Sequence, residues 1–197
     1  MKEPETIQAS KKFWKKGDGR AVSARGALGG LATFWNSSTL DLLEDFSNTH
    51  WLFTKFLHRD SGLQISLFNI YASVLLPEKK ECWDSLNSFL SANQHNNLVL
   101  AEDMNVTLAL SKKKGGSPVR DLAQEWVEDI MMDWGLEDIK PSKGKFTWTN
   151  KRVGPGHIAA RLDRFLVHSS FLTLGLFANS EILQACTSDH KSISLSL

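Results

Sequence analysis

Polar side chains directly follow a short apolar segment, Leu98 to Ala101, near the middle of the chain. Four apolar residues in a row are typical of a fully buried strand, and in an α/β sheet the groups just past such a strand meet ligands. Asp103 offers a carboxylate that can accept a proton or bind a metal. Asn105, on the same side of an extended backbone, offers an amide to a phosphate oxygen. From this segment alone, a turn rich in Asp and Asn that caps a strand explains the residues equally well.

Similar polar or titratable side chains recur at the ends of other segments that have the pattern of strands. Each one alone is a weak signal. A single histidine near a strand end is more often structural than catalytic, and an acid within RLDRFLV can equally pair with Arg161 or Arg164. Their order along the chain carries more weight. The residues are Tyr71, Asp103 with Asn105, Thr147 with Trp148, Asp163, and Asp189 with His190.

Hydrophobic periodicity and turn signals predict the elements that must position these residues, in a mixed α/β chain. Predicted helices cover Met1 to Lys16, Pro77 to the loop at Asn93, and Ser117 to Gly135, whose predicted buried stripe is Leu122, Trp126, Ile130 and Trp134. Predicted strands cover Gly26 to Trp35, Thr49 to His58, Leu63 to Tyr71, Leu98 to Ala101, Phe146 to Thr149, Arg161 to Val167 and Cys186 to Leu197, with turns at Gly17 to Gly19 and Asp60 to Gly62.

Composition narrows the class of protein. With 197 residues, of which 42% are hydrophobic and 23% charged, the chain can form one globular domain and is unlike disordered or collagen-like proteins. Two cysteines, Cys82 and Cys186, form neither a metal-binding spacing nor a disulfide framework, and we expect both thiols in a core. No apolar run approaches the roughly 18 residues of a membrane span, and the lysine-rich start is no signal peptide. We expect an intracellular protein, nuclear or cytoplasmic, with no membrane partner.

With a net charge of +1, the chain as a whole does not attract nucleic acid electrostatically. Any basic surface that binds nucleic acid therefore has to be local. Lys11, Lys12, Lys15 and Lys16 place four cations within six positions. Such a run is usually a solvated face, and a nucleic-acid contact is the alternative.

Five short motifs occur in an order that resembles the endonuclease/exonuclease/phosphatase superfamily, over roughly Arg25 to Leu197. The last two motifs are the specific signal, and FTW with RLDRFLV is most similar to the endonuclease domains of non-LTR retrotransposons, particularly the plant LINE type. The motifs are NIY at Asn69 to Tyr71, DMN at Asp103 to Asn105, FTW at Phe146 to Trp148, RLDRFLV at Arg161 to Val167 and TSDH at Thr187 to His190.

The resemblance implies a two-sheet α/β sandwich of the DNase I type, with outer helices and a phosphodiesterase site at one sheet edge. In such a site Asp103 would activate the attacking water and Asn105 would hold the scissile phosphate. Asp189 would bind Mg²⁺, or alternatively Mn²⁺. His190, with a ring nitrogen held by Asp163, would contact the phosphate and stabilise the transition state.

The same resemblance implies a nucleic-acid groove beside the site. Tyr71 would lie against the phosphate, Thr147 and Trp148 would line the groove, and Lys145 and Lys151 would approach the backbone. The implied partner is DNA, with RNA left open, and the implied state is a monomer once fused to a reverse transcriptase.

Three departures from the family pattern carry expectations of their own. The Gln-Glu-Thr motif that supplies the family's main metal ligand is absent, with Glu3 and Glu5 nearest to its place, so we expect residues 1–197 to be a single domain that lacks its first strands. Glu102 stands where the family has glycine, which costs backbone freedom and raises the pKa of Asp103 by like-charge repulsion. Ala72 follows the tyrosine where the family usually has proline.

Three functions are therefore compatible with the sequence. The first is a Mg²⁺-dependent endonuclease of retrotransposon origin, with activity reduced or lost through the missing glutamate and Glu102. The second is a non-catalytic remnant that binds nucleic acid. The third is a phosphatase of the same fold that acts on a small molecule, which FTW and RLDRFLV disfavour.

Overall fold

The computed structural model describes residues 3–23, 30–93, 95, 97–173, 178–184 and 188–196. The predicted glycine-rich segment Gly26 to Gly29, together with Arg25, Cys186, Thr187 and Leu197, lies outside the described residues. Within the described part of the chain, no helix has the length and apolarity needed to cross a bilayer.

The helices are α1 Glu3–Ser10, α2 Leu76–Ala92, α3 Gln124–Asp133 and α4 Ser170–Thr173, with 3₁₀ turns at Leu110–Lys112 and Gly154–Gly156. The strands are β1 Gly17–Val22, β2 Leu31–Asn36, β3 Leu40–Ser47, β4 Trp51–His58, β5 Gln64–Tyr71, β6 Leu98–Asp103, β7 Lys113–Lys114, β8 Leu136–Asp138, β9 Pro141–Lys143, β10 Trp148–Thr149, β11 Ala159–Ala160, β12 Asp163–His168, β13 Asn179–Ile182 and β14 Ile193–Ser196.

Six strands form the central sheet, in the order β3-β4-β5-β6-β12-β8. β4 and β5 are antiparallel and are joined by a tight turn in which Gly62 has φ 67°, a conformation that glycine adopts without strain. β5 and β6 are parallel, and α2 makes the crossover between them, as the strand–helix–strand pattern predicts. β12 pairs antiparallel with the other edge of β6. The end of β6 is therefore flanked by the end of β5 and the start of β12.

Alternation of side chains divides the apolar residues between the two faces of this sheet. Phe68, Leu100 and Leu166 point to the side covered by α2 and α3, where they form the larger core cluster. Val99 and Val167 point to the opposite side and belong to a smaller cluster. Consequently, the side chains of odd-numbered residues in β5, β6 and β12 point from the sheet towards the layer that covers this second face.

The second face is covered by two separate pieces of sheet. β1 and β2 form an antiparallel pair that packs on β4 and β5, with α1 outside it. β14, β13 and β9 form the other piece, and β14 packs on β12. The predicted two-sheet α/β sandwich with outer helices is therefore confirmed, with its second layer divided. A further small sheet has the order β10-β11-β7.

Two predicted helices are shorter than the pattern indicated. α1 ends at Ser10, and the predicted turn at Gly17 to Gly19 is the start of β1. A Cβ atom at Gly17 would lie 2.5 Å from the carbonyl carbon of Ser10, so only glycine allows this contact. α3 begins at Gln124 rather than Ser117, and Leu122, predicted to be buried, is 70% exposed. Ile130 is buried as predicted, and Trp126 and Trp134 are partly buried against the same core, while Ala123 and Val127 complete the buried face.

Cys82 occupies the core side of α2, as expected for a small apolar residue. Burial raises the pKa of its thiol to about 12, so the thiol stays protonated and unreactive at neutral pH.

Candidate active site

Three side chains that the sequence singled out lie side by side at the ends of neighbouring strands. Tyr71 ends β5, Asp103 ends β6, and Asp163 begins β12; Asp103 is the direct cross-strand partner of both. All three share the face of Val99 and Val167, which turns them towards the second layer. The register of three strands is thus sufficient to bring a phenol and two carboxylates together.

A pairing between two distant segments adds His190 to this group. Trp148 in β10 makes a β-bridge with His190, and the amide of Lys191 donates to the carbonyl of Thr147. The His190 ring then lies with Nδ1 3.0 Å from Oδ2 of Asp163 and with Nε2 3.8 Å from Oδ2 of Asp103. The ligand atoms of Asp103, Asp163 and His190 all lie within 4.8 Å of one another. The imidazole is therefore oriented by one carboxylate and presents its second nitrogen beside the other.

A cavity of about 630 Å³ opens over this cluster. Its lining combines all three aspartates and the histidine expected at the site with the aromatic rings of Tyr71 and Trp148. The lining residues are Tyr71, Val74, Glu102, Asp103, Asn105, Trp148, Leu162, Asp163, Ser188, Asp189 and His190. A phosphodiester group fits a cavity of this size, and every titratable side chain in it faces the same space.

The cavity shifts the pKa values of its acids and of its imidazole in ways that have physical causes. Burial, followed by the nearby charge of Asp163, raises the pKa of Asp103 to about 6. The hydrogen bond to Asp163 raises the pKa of His190 above 6.5, against an opposing effect of burial. Burial and the charge of Asp103 raise the pKa of Tyr71. Near pH 7 Asp103 is therefore mostly ionised, and the carboxylates beside His190 favour the protonated form of its imidazole.

The raised pKa of His190 is directly measurable. We expect the imidazole of the metal-free protein to titrate above 6.5 in an NMR titration, and to titrate lower in Asp163→Asn, because the hydrogen bond to the carboxylate is the largest cause of the shift. By linkage, this interaction stabilises the folded state fully below the unfolded pKa and loses its effect as pH rises through the folded pKa. Asp60→Asn, in an exposed turn, is the control. An unchanged His190 titration in Asp163→Asn would contradict the assignment.

Asn105 and a lysine that the sequence did not single out fix the turn after β6. Asn105 has φ 46°; its amide N–H donates to Oδ1 of Asp103 at 2.9 Å, and its Nδ2 donates to Ala72 and to Oδ2 of Asp103. Both side-chain hydrogens are thus bonded within the protein, where the resemblance implied a phosphate as their acceptor. Lys79, 7% exposed, donates from Nζ to the carbonyl of Asn105 at 2.6 Å. The sequence could have indicated that Lys79 is buried, because it lies four residues before Trp83 and therefore on the same face of α2.

The residues predicted to line a nucleic-acid groove divide into buried and exposed groups. Thr147 is fully buried, and its hydroxyl accepts the amide hydrogens of Leu162 and Asp163 at 2.9 and 3.0 Å. The prediction that Thr147 contacts nucleic acid is therefore wrong, because its side chain positions the start of β12 instead. Lys145 and Lys151, by contrast, are exposed.

Asp189 lies at the rim of the cavity rather than in its centre. Its Oδ2 accepts a hydrogen bond from Nε1 of Trp148 at 3.0 Å, and this bond is the main cause that lowers the pKa of Asp189. The close cluster of possible ligands within the described residues contains Asp163 instead. Trp148 and Asp189 therefore form one wall, with the indole fixed by the carboxylate.

Glu102 has a backbone conformation that its residue type disfavours. With φ 90°, it departs from the strand geometry that would point it, like Leu100, towards the helices. Its exposed side chain lines the cavity instead. Partial enclosure and the charge of Asp163 raise the pKa of Glu102, and Glu102 in turn adds to the raised pKa of Asp103. The expected like-charge effect is present but smaller than those of burial and Asp163.

Two buried arginines behind the site pair with an acid outside the predicted set. Arg161 makes a two-pronged hydrogen bond to Asp138, with distances of 2.6 and 3.0 Å. Arg164 lies 3.6 Å from the same carboxylate and donates to the carbonyls of Val106 and Arg161. Asp163 is thereby left to hydrogen-bond with His190, which resolves the alternatives that RLDRFLV left open.

One curated protein is similar in sequence to most of this chain. No protein-family model matches the chain. Over 143 residues, 70% of its length, the chain is 27% identical to the "Transposon TX1 uncharacterized 149 kDa protein" of Xenopus laevis, of which it spans 11%. It therefore covers about a tenth of this curated relative.

Solved structures are similar over nearly the whole chain. The endonuclease domain of TRAS1, a telomere-specific non-LTR retrotransposon, has a TM-score of 0.71 at 13% identity and covers 99% of this chain and 92% of that one. D. rerio TDP2 complexed with a single-stranded DNA product has a TM-score of 0.63 at 18% identity, covering 96% and 80%. A Bacteroides thetaiotaomicron mannosyl-6-phosphatase has a TM-score of 0.64 at 13% identity, covering 99% and 82%. These likenesses confirm the predicted endonuclease/exonuclease/phosphatase fold.

Proposed function

We propose that this chain is a phosphodiesterase of retrotransposon origin that hydrolyses DNA with the help of Mg²⁺. The observation that carries the proposal is the cluster of Asp103, Asp163 and His190 in one cavity at converging strand ends. The retrotransposon origin is supported by the similarity to the transposon TX1 protein and to the TRAS1 endonuclease domain. The expected fusion to a reverse transcriptase remains part of this proposal.

The donor set fits a hard divalent cation. Carboxylate oxygens are the ligands that Mg²⁺ prefers, and Asp103 and Asp189 contribute carboxylates to the same cavity. The lowered pKa of Asp189 keeps it ionised at neutral pH, while Asp163 is engaged by His190. We therefore assign Asp189 to the metal, with Mn²⁺ as a replacement of similar ligand preference. A bound cation would neutralise charge on the phosphate oxygens.

The residues of the chain supply the remaining chemistry. Asp103, with a pKa of about 6, is ionised at pH 7–8 and can accept the proton of an attacking water. His190 is held through Nδ1 by Asp163, so its Nε2 can donate to a phosphate oxygen as negative charge develops. Tyr71, kept protonated by its raised pKa, is a second donor on the same side. Asn105 contributes by orienting Asp103.

A DNA substrate is supported by the surroundings of the cavity. Trp148 offers an aromatic wall, and Lys145 and Lys151 are exposed on the segments that flank β10, where a phosphate backbone leaving the cavity would pass. The similarity to the TRAS1 endonuclease domain and to TDP2 bound to DNA agrees with this choice.

The test is conversion of supercoiled plasmid to its nicked form by the purified chain. We expect nicking with Mg²⁺ or Mn²⁺ and none with excess EDTA. A second candidate, a non-catalytic nucleic-acid-binding protein, is favoured by the strained Glu102 and by the bonded amide of Asn105. A gel shift of DNA without nicking would support that candidate, and release of phosphate from a hexose 6-phosphate would support a phosphatase.

Restoring glycine at position 102 is expected to improve both stability and activity. Glu102→Gly removes a positive-φ strain of roughly 1–3 kcal/mol at the expense of glycine's extra chain entropy, so the free energy of unfolding should rise by about 1 kcal/mol. Loss of a negative charge from the lining of the cavity should also lower the pKa of Asp103 and ease the approach of the anionic phosphate, so nicking should rise severalfold. Urea denaturation and plasmid assays measure the two effects.

Glu137→Gly, in β8 and without a positive φ, is the matched control and should lose roughly 0.5–1 kcal/mol. A loss of stability in Glu102→Gly equal to that of the control would show that position 102 is not strained.

A further inference from the structure

The segment Lys11 to Lys16, between α1 and β1, presents aromatic rings and cations together to solvent. Phe13 is 68% exposed and Trp14 39% exposed, although large aromatic residues usually lie in a core. The four lysines of the segment are exposed as well. We call this surface the aromatic–lysine platform. It lies outside the candidate active site. From the sequence alone, its four lysines could form either a solvated face or a nucleic-acid contact.

Two consecutive turns hold the platform in shape. The amide of Phe13 donates to the carbonyl of Ser10, and the amide of Gly17 donates to the carbonyl of Trp14, both at 3.0 Å. Ser37, directly after β2, donates from both its amide and its hydroxyl to the carbonyl of Lys16. The six residues are thereby confined to a compact patch, because residues three apart in a turn lie within about 7 Å.

One face of the Phe13 ring is supported from below. Its ring stacks on Phe34 of β2, with centroids 6.2 Å apart and planes inclined by 29°, and Trp14 lies beside it at 5.9 Å. A supported ring whose remaining surface faces solvent is preorganised to accept another flat ring.

The cations of the platform differ from a set of four other surface cations of the chain. Among the described residues, the ammonium groups of Lys11, Lys12, Lys15 and Lys16 form no ion pair. Four surface cations elsewhere are each paired with a carboxylate: Lys55 with Glu44, Arg59 with Asp41, Lys80 with Asp84 and Arg120 with Glu128. The platform therefore concentrates positive charge that the described part of the chain does not neutralise.

We propose that the aromatic–lysine platform binds a single-stranded polynucleotide, whose unpaired bases stack on Phe13 and Trp14 and whose phosphates meet the four lysines. Exposed aromatic rings next to a row of cations are the combination that single strands require, since every base has a face that can stack. An anionic membrane is less suited, because α1 has Ile7 as its single large apolar side chain and thus no apolar face to insert.

The platform and the cavity lie at opposite ends of the same strand. Leu31, at the start of β2, lines a smaller cavity with Tyr71 and Asp103, while Asn36, at its end, pairs with Gly17 next to the platform. Five residues of extended chain span about 17 Å. The platform and the cavity are therefore separate sites, and the inference stands whether or not the chain hydrolyses DNA.

The test is fluorescence anisotropy of a labelled 20-nucleotide oligothymidine, measured with the full chain at several salt concentrations without divalent cation. Replacing all four platform lysines with glutamine should weaken binding at least tenfold and reduce the slope of log K against log salt by about 3, since each phosphate contact contributes about 0.7 for a single strand. Phe13→Ala should weaken binding about tenfold with little change of slope. A thermal melt checks that each variant is folded.

The matched control replaces Lys55, Arg59, Lys80 and Arg120 with glutamine, which removes the same charge from paired positions. We expect its affinity to stay within about threefold of wild type. Equal losses in the platform and control variants, or unchanged binding in Phe13→Ala, would overturn the proposal. So would tighter binding of the platform to phosphatidylserine vesicles than to the oligonucleotide. Plasmid nicking, assayed separately, reports on the cavity alone.

Discussion

Asp103→Asn is expected to lower Mg²⁺-dependent plasmid nicking by about 10²–10⁴-fold, the usual contribution of a positioned general base. Asparagine keeps the size of the side chain but cannot accept the proton of the attacking water. It also offers one acceptor oxygen where Asn105 now donates to two, at 2.9 and 3.0 Å. Single-turnover nicking at pH 8 measures the loss, and Asp84→Asn, which changes an exposed acid of α2 outside the lining of the cavity, is the control.

A second variant separates a shared role from two independent ones. His190→Ala should cause a loss of the same order, because the imidazole and Asp103 face the same space with 3.8 Å between Nε2 and Oδ2. If both act on one phosphate, the double variant should be little worse than either single variant. A loss below about threefold in Asp103→Asn would exclude Asp103 as the base.

Asp138→Asn is expected to lower the free energy of unfolding by about 3–5 kcal/mol, because it leaves two buried guanidinium groups without their carboxylate. Arg161 and Arg164 are each 1% exposed, and Asp138 is the acid that both approach. Burial already lowers the pKa of Arg164 to about 10, a sign of how unfavourable its environment is for a charge. Urea denaturation followed by tryptophan fluorescence measures the loss.

The exposed pair of Arg59 and Asp41 provides the comparison. Asp41→Asn removes the same kind of contact from a solvated position and should cost less than about 1 kcal/mol. Similar losses in the two variants would show that Asp138 does not compensate buried charge.

Local pattern was sufficient for those parts of the fold in which neighbouring residues decide the outcome. The turn at Gly62 predicts the antiparallel pair β4 and β5, and Pro77 with the apolar run at Leu98 predicts the crossover to β6. β3 was missed because most of its length is exposed, so LDLLEDFS lacks the apolar alternation that marks a strand. The start of α3 was misplaced because Ser117 and Pro118 have the residue types of a helix start but lie in a segment that forms no helix.

The candidate site could be predicted for those residues whose type alone indicates a chemical role, such as an aspartate or a histidine at the end of a strand. Asp103, Asp163 and His190 were found, and strand register brings them together. Lys79 and Asp138 were missed because their partners, Asn105 and Arg161, lie 26 and 23 positions away and no local pattern connects them. Thr147 was assigned to the surface for the same reason, since its burial depends on the fold of the segments around it.

The chain has a single tyrosine, and it lies in the wall of the cavity. Biosynthetic incorporation of 3-fluorotyrosine would therefore give one ¹⁹F resonance, which needs no assignment and arises next to Asp103. Its shift on addition of Mg²⁺, of inorganic phosphate or of oligonucleotide would report occupancy of the cavity in variants that have lost all turnover. Fluorinated Tyr71 would thus be a specific spectroscopic probe of ligand binding in the cavity.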